Sequence, residues 1–274
     1  MFLKTVVFVI SLVLPSLTSS PRALSPWAAF NEKSWIDIHT HHEMLAPGLE
    51  EPSIWDSDSR LTIGKTRDNA VTLIHNNPKL KVVEKATLPV PPIDSIAGTR
   101  ALGQWPHDIF PFGPERKEGL TVEQKNPRPF NIHTRQAGGT REFKIGDRTF
   151  NAVLHIREWD ANTKTGKVHF VLKAWTVAEV ELPLHWEYSS SDGSLESQTD
   201  LVSLGEDVNV AGKKIRCLVT VTKKKLDEGI ITKKRWSTSE VPGFVVKMES
   251  SLKTREFSLK VNEWVSAFHI AGTP

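Results

Sequence analysis

Cysteine is nearly absent from this chain: Cys217 is the only one among 274 residues. No disulfide bond can form within the chain, so its fold must be held by a buried core. Cys217 alternates with Ile215, Val219 and Val221 in a period-two apolar pattern. The pattern favours a cysteine buried in a strand over a nucleophile, because it implies no histidine partner.

A large excess of charge of one sign is absent as well. The 35 Lys and Arg residues against 32 Asp and Glu residues give a formal net charge of +3. This balance does not indicate nucleic-acid binding, and we expect no nucleic-acid partner. The length allows one large or two modest domains, each with room for a core of its own.

An apolar run, Val6–Leu14, follows Lys4 at the N-terminus and is followed by Pro15 and small polar residues. This order predicts a secretory signal peptide over residues 1–20. The alternative is a membrane anchor, but the run is shorter than the roughly 20 residues that a spanning helix needs. We therefore expect a secreted or periplasmic protein with no transmembrane segment after signal cleavage.

Helical periodicity is missing from the rest of the chain, and alternation takes its place. Phe150, Ala152, Leu154 and Ile156 fall on one face of an extended segment, with more polar residues between them. Turn-forming residues separate several such runs, which predicts a mostly β protein of antiparallel hairpins and meanders. Strand-like pieces predict an N-terminal β unit over 30–92, and a Pro- and Gly-rich stretch predicts a connection over 93–139.

The C-terminal half is internally repetitive. The stretch 142–156 is echoed by 207–221, and the segment that begins at Trp175 is echoed by the one that begins at Trp236. We predict two β repeats, over 140–205 and 206–270, with these two tryptophans as core anchors. Features found in one copy only would not belong to the design of the repeated unit.

A resemblance to a family rests on the second repeat. Val210-Ala211-Gly212-Lys213, Cys217 and the run Trp236–Lys247 resemble a pattern of uncharacterised exported bacterial β proteins. In these proteins a Ser-Trp strand comes first, as Ser34-Trp35 does here. Their fold is similar to that of LolA-type lipoprotein carriers. The resemblance therefore implies strongly curved antiparallel sheets that form an incomplete barrel, and it implies no catalytic residue.

A possible metal-ligand pair stands in the N-terminal unit. His39 and His41 alternate within a predicted strand, so both side chains fall on one face and could reach one divalent ion. A strand that ends in His-x-His resembles the first metal-ligand pair of amidohydrolase barrels, which makes a metal-dependent hydrolase the alternative function. Such a barrel needs crossover helices that the later sequence lacks, which favours exposed strand histidines.

Two polar features occur in only one repeat. His155, His169 and His185 lie in three consecutive predicted strands of the first repeat, which could bring them together as a metal or proton site, but we expect surface histidines. Lys223–Lys225 and Lys233–Arg235 flank a predicted hairpin, where we expect both triplets near one tip and facing solvent. These cations either attract an anionic envelope component or keep an edge strand soluble.

Tryptophans suggest where an apolar ligand would bind. Trp186 and Trp264 occur in one copy each and could line a concave cavity. We predict an exported, non-catalytic envelope protein that binds an apolar ligand, lipid or lipoprotein on a concave sheet, with no cofactor. A structural or assembly module without a small ligand is a further alternative.

Overall fold

The computed structural model describes residues 27–67, 70–78, 82–89, 121–123, 130–163, 166–193, 196–226 and 229–272. These residues form strands, turns and loops, and no helix occurs among them. The predicted signal peptide lies outside the described residues. The strands are β1 (Trp35–Leu45), β2 (Ser53–Arg67), β3 (Ala70–Asn77), β4 (Val82–Pro89), β5 (Thr121–Glu123), β6 (Phe130–Ile145), β7 (Arg148–Thr163), β8 (Gly166–Thr176), β9 (His185–Ser190), β10 (Glu196–Val210), β11 (Lys213–Leu226), β12 (Gly229–Ser237), β13 (Val245–Thr254) and β14 (Ser258–His269).

All of these strands belong to one open sheet. Their order is β5-β4-β3-β2-β1-β14-β13-β12-β11-β10-β9-β8-β7-β6. Neighbouring strands are antiparallel except β4 and β5, which are parallel. The two ends of the described sheet, β5 and β6, do not pair with each other, so the sheet is not closed into a barrel. The prediction of a mostly β, antiparallel, incomplete barrel is confirmed.

The sheet is strongly curved. β10 approaches β6, β13 and β14 to within 8 Å between Cα atoms, although each is three or four positions away in the sheet. In a flat sheet these strands would be roughly 14–19 Å apart, at about 4.8 Å per strand. Register shifts in β10 between Leu201 and Glu206, which are β-bulges or similar irregularities, help the sheet to bend there.

The larger core cluster joins the N-terminal strands to the last strands. β1 pairs with β14 along its whole length, which places the predicted N-terminal unit beside the second repeat. Ile36 on β1, Leu61 on β2 and Val265 on β14 are buried in this cluster. Trp27 is completely buried in it as well, and its ring packs against Gly243 in the loop between β12 and β13.

A smaller cluster fills the other half of the sheet. It contains Ile145, Phe150, Ala152 and Leu184, with Trp175 packed against it. Leu184 belongs to the loop over 177–184 between β8 and β9, which turns back into the cluster. The loop over 238–244 between β12 and β13 contributes Val241 to the larger cluster in the same way.

Both tryptophans expected to anchor a core do so. Trp236 is buried in the larger cluster, and Trp175 packs on the smaller one. Each stands at the end of a strand that leads into one of these loops. The duplication itself stays a prediction, and its proposed division at residue 205 falls within β10.

Two other sequence-based expectations need adjustment. β6 begins at Phe130, inside the segment 93–139 that was expected to be a connection. The lysine triplets do not face each other: Lys223–Lys225 pair with Ile230–Thr232, whereas Lys233–Arg235 pair with Thr220–Thr222. Leu226 and Gly229 are the last pair at this end of the hairpin, so the second triplet lies farther from this end than the first.

Candidate functional site

An open groove of about 460 Å³ crosses β8 to β12. Two adjacent rows of cross-strand partners supply most of its walls, because residues paired across strands share a face of the sheet. One row is Lys173, Glu187, Gln198 and Lys223, and the next is Val171, Ser189, Glu196, Lys225 and Ile230. Tyr188, Ser197 and Lys224 also border it, but they alternate with the residues of these rows, so their side chains point to the opposite face. We call this site the lysine groove.

The charge of the lysine groove is positive. The side chains that face it include three lysines, Lys173, Lys223 and Lys225, and two glutamates, a formal excess of one positive charge. Glu187 is 4.0 Å from the Nζ of Lys173, and both side chains are about half exposed. Such an ion pair is weak in water, so an incoming anion can take the place of Glu187 beside Lys173 at little cost in free energy. Lys223 and Lys225 are exposed on the opposite wall.

Apolar groups lie beside these charges. Ile230 is 55% exposed, which is unusual for a large aliphatic side chain next to a cleft. Val171 adds apolar surface, and the lysine stems extend it. Tyr188 packs with Trp159 and Phe170 on the other face of the sheet, where burial raises the pKa of its phenol to about 12. The groove can therefore contact both an anionic head and an apolar chain.

A third row lies next to the groove and contains a buried histidine. Trp175, His185 and Asp200 are paired across β8, β9 and β10. Only 5% of the His185 side chain is exposed, and its Nδ1 is 2.6 Å from Asp200 Oδ1. Its Nε2 is 3.4 Å from Glu187 Oε1, in the wall of the groove. Gln198, another wall residue, donates to Asp200 Oδ2 at 3.3 Å.

The histidines of the first repeat do not form one site. The prediction that they occupy three consecutive strands is confirmed, since they lie on β7, β8 and β9. The expectation of surface positions is wrong for His185, which is buried, and His155 is partly buried. His155 is paired with Ala174 and His185 with Trp175, so the two histidines lie on opposite faces. Burial lowers the pKa of His155.

His39 and His41 share one face of β1, as their spacing predicts. Asp58 and Asp56 are their partners on β2, with His39 Nδ1 2.7 Å from Asp58 Oδ1 and His41 Nδ1 2.8 Å from Asp56 Oδ1. The hydrogen bond with Asp56 raises the pKa of His41, and the same bond lowers the pKa of Asp56. The described residues contain no group of three or more His, Cys, Asp or Glu side chains arranged for a metal ion. The metal pair stays a prediction.

The two tryptophans proposed as ligand contacts lie far apart in the sheet. Trp264 on β14 is partly buried, and its ring centroid is 4.5 Å from that of His39. Trp186 on β9 is buried against Ala174, with Leu172 beside them, and does not line the lysine groove. Because side chains alternate along a strand, Trp186 points to the face opposite Glu187. Their role as ligand contacts stays a prediction.

Comparisons with known proteins give little further guidance. No family model and no curated protein matches the chain in sequence. Among solved structures, the chain is similar to a domain proposed to belong to an outer membrane lipoprotein-sorting protein of Vibrio parahaemolyticus. The identity is 11% and the TM-score 0.31, over 87% of this chain and 86% of that chain. This likeness is too distant to carry an argument, and the all-β architecture stands on the strands themselves.

None of the residues described contributes a helix that is long and apolar enough to cross a membrane.

Proposed function

We propose that the protein is a non-catalytic binding protein of the cell envelope or the exterior, which captures an anionic amphiphile in the lysine groove. The predicted signal peptide is the basis for the location. The observation that carries the function is the composition of the groove, in which three lysines, Lys173, Lys223 and Lys225, stand beside Val171 and Ile230. A volume of about 460 Å³ is in the range of small-ligand sites, roughly 300–1,000 Å³.

The arrangement suits one class of ligand. Lys223 and Lys225 are on the same face of β11 and bracket one wall of the groove. An anionic head placed between them gains charge-assisted hydrogen bonds. The adjacent Ile230 is paired with Lys225 and offers an exposed apolar side chain to the tail of the same molecule. An acidic lipid or an acidic acyl compound has both parts.

The first experiment measures binding of octyl sulfonate by isothermal titration calorimetry. Octanol tests the need for the charge, and methanesulfonate tests the need for the chain. We expect octyl sulfonate to bind at least about tenfold more tightly than either, because each lacks one of the two kinds of contact. Equal binding of octanol would remove the electrostatic part of the proposal, and equal binding of methanesulfonate would reduce the groove to a site for small anions.

The residues are tested by a double substitution, Lys223→Gln with Lys225→Gln. We expect the affinity for octyl sulfonate to fall by about tenfold or more and its dependence on salt to weaken, because two cations are removed from the wall. Lys144→Gln with Lys253→Gln is the matched control, since both are exposed lysines outside the groove, on β6 and β13. The same loss in the control would show that only the net charge of the protein matters.

A further inference from the structure

A chain of side chains connects the lysine groove to a buried imidazole. Gln198, Asp200, His185, Glu187 and Lys173 follow one another through polar contacts of 3.3, 2.6, 3.4 and 4.0 Å. The first, fourth and fifth of these residues line the groove, and His185 stands in the middle of the chain. We call it the His185 chain. A change in the protonation of His185 therefore affects residues in both walls of the groove through these contacts.

The two contacts of His185 require two protons on its ring. Asp200 faces Nδ1 and Glu187 faces Nε2, and ionised carboxylates only accept hydrogen bonds. A neutral imidazole donates from one nitrogen and presents a lone pair at the other. Both carboxylates can therefore accept a hydrogen bond from the ring at the same time only when it is an imidazolium. After loss of a proton, the shorter contact to Asp200 keeps the remaining N–H, and the Nε2 lone pair then faces Glu187.

The charged groups around His185 determine which residue Glu187 contacts after His185 has lost a proton. The charged groups near His185 are Glu187 on β9, Asp200 on β10, Lys173 on β8 and Arg141 on β6. The Arg141 guanidinium lies 4.8 Å from the ring centroid of Phe143 and 5.6 Å from that of Trp175, and both rings pack on His185. The positive partner beside Glu187 is Lys173, a residue of the groove. Glu187 released by His185 therefore competes for a lysine that an anionic ligand uses.

We infer that His185 makes ligand binding in the lysine groove dependent on pH: the imidazolium shares Glu187 with Lys173, and the neutral ring leaves Glu187 to Lys173 alone. This inference rests on the proposed function. Loss of the proton also removes one positive charge from beneath the groove. Both effects act in the same direction, so an anionic amphiphile binds more weakly as the pH rises.

The experiment follows the affinity for octyl sulfonate from about pH 5.5 to about pH 8.5, the range in which imidazoles usually change charge. The sulfonate keeps its charge throughout, so any change comes from the protein. We expect the wild-type affinity to fall by about three- to tenfold across this range, the size of a modest coupling between two sites. His185→Gln should bind weakly at both ends of the range, with the fall abolished.

Glu187→Gln should raise the affinity and reduce its dependence on pH without abolishing it, because the charge of His185 still changes. It removes the competing carboxylate, so we expect affinity at least equal to the wild-type value at low pH, and most of it retained at high pH. Glu187 is about half exposed, so this variant carries the test even if the buried His185→Gln variant fails to fold. His133→Gln changes an exposed histidine on β6 and should keep the wild-type slope.

The outcomes separate the two proposals. Absence of octyl sulfonate binding at every pH would overturn the proposed function. Binding with an unchanged slope in folded His185→Gln or in Glu187→Gln would overturn the pH control alone. If His133→Gln abolishes the dependence of the affinity on pH to the same extent, the effect comes from the net charge of the protein, and the pH control by His185 is overturned.

Discussion

Gly243 shows how closely the start of the described chain is fitted into the larger core. Its φ is 82°, in the left-handed region that favours glycine. A Cβ at this position would lie 2.6 Å from Cζ2 of the Trp27 ring, which is completely buried. An added methyl group there is opposed both by the backbone conformation and by the ring.

We expect Gly243→Ala to lower the free energy of unfolding by about 2–4 kcal/mol, the sum of backbone strain and overpacking. Urea unfolding followed by tryptophan fluorescence measures the change. Gly212→Ala is the matched control, because its φ is 83° and no atom lies within 4 Å of the added methyl group. Gly212→Ala should lower the free energy of unfolding by only about 1 kcal/mol. Equal losses in the two variants would contradict the role given to the Trp27 contact.

Asp160 illustrates a residue whose charge supports the fold. Its carboxylate is 3.0 Å from His169 Nδ1 and 3.1 Å from Lys167 Nζ, and it accepts a hydrogen bond from Asn131 at 3.1 Å. These contacts, that of His169 first, lower the pKa of Asp160 to about 2. A carboxyl group with a lowered pKa stabilises the fold above its ordinary pKa of about 3.9 and loses that contribution as the pH falls towards 2.

Asp160→Asn should therefore lower the urea midpoint of unfolding at neutral pH. The difference from the wild type should shrink as the pH falls below about 4 and should be smallest near pH 2, where the native carboxyl is protonated as well. Asp147→Asn, in the turn between β6 and β7, is the control and should show little change. A difference that stays constant down to pH 2 would mean that the charge of Asp160 is not what matters.

The burial of individual residues was predicted correctly where it depends on the local sequence. Cys217 was expected in a buried strand because of its apolar alternation, and the structure confirms its burial. Burial, with smaller effects of nearby carboxylates, raises the pKa of its thiol to about 12, so it is a poor nucleophile. His185 was expected at the surface and is buried. Its burial depends on Trp175 and Phe143 from other strands, which no local pattern reveals.

At the scale of elements, alternation located most strands but not their lateral neighbours. The strand-like segments of the predicted N-terminal unit all fall within observed strands: they are Trp35–His39, Arg60–Gly64 and Ala70–His75. The lysines of β11 were recognised as a basic stretch, yet the groove also needs Lys173 and Glu187 from β8 and β9. Which side chains stand beside one another depends on register, and register is fixed by turns and by irregularities such as those in β10.

At the scale of the whole molecule, the larger cluster mixes strands from both ends of the chain. Thr40 on β1 donates to Glu263 on β14, 223 residues later, and both are buried. Sequence patterns could predict an N-terminal unit over 30–92, but they could not show that it packs on the last strands. Pairing between such distant segments leaves no periodic trace in either of them.

We expect Leu61→Ala to test this shared core, because Leu61 on β2 is completely buried in it. The substitution should lower the free energy of unfolding by about 2–5 kcal/mol through the cavity that it leaves. Native-state hydrogen exchange should show faster exchange in β13 and β14 as well as in β1 to β3. Val202→Ala, at an exposed position on β10, is the control. Faster exchange confined to β1–β3 would indicate a separate N-terminal unit.

The pairing of β1 with β14 also sets the order in which the chain can acquire its structure. Among the described strands β1 is synthesised first, and β14, which covers its edge, is synthesised last. Closing a loop of this length costs entropy that is recovered only when the distant contacts form. The larger core can therefore assemble only after β14 has been synthesised, and until then β1 exposes an unpaired edge on which a chaperone can act.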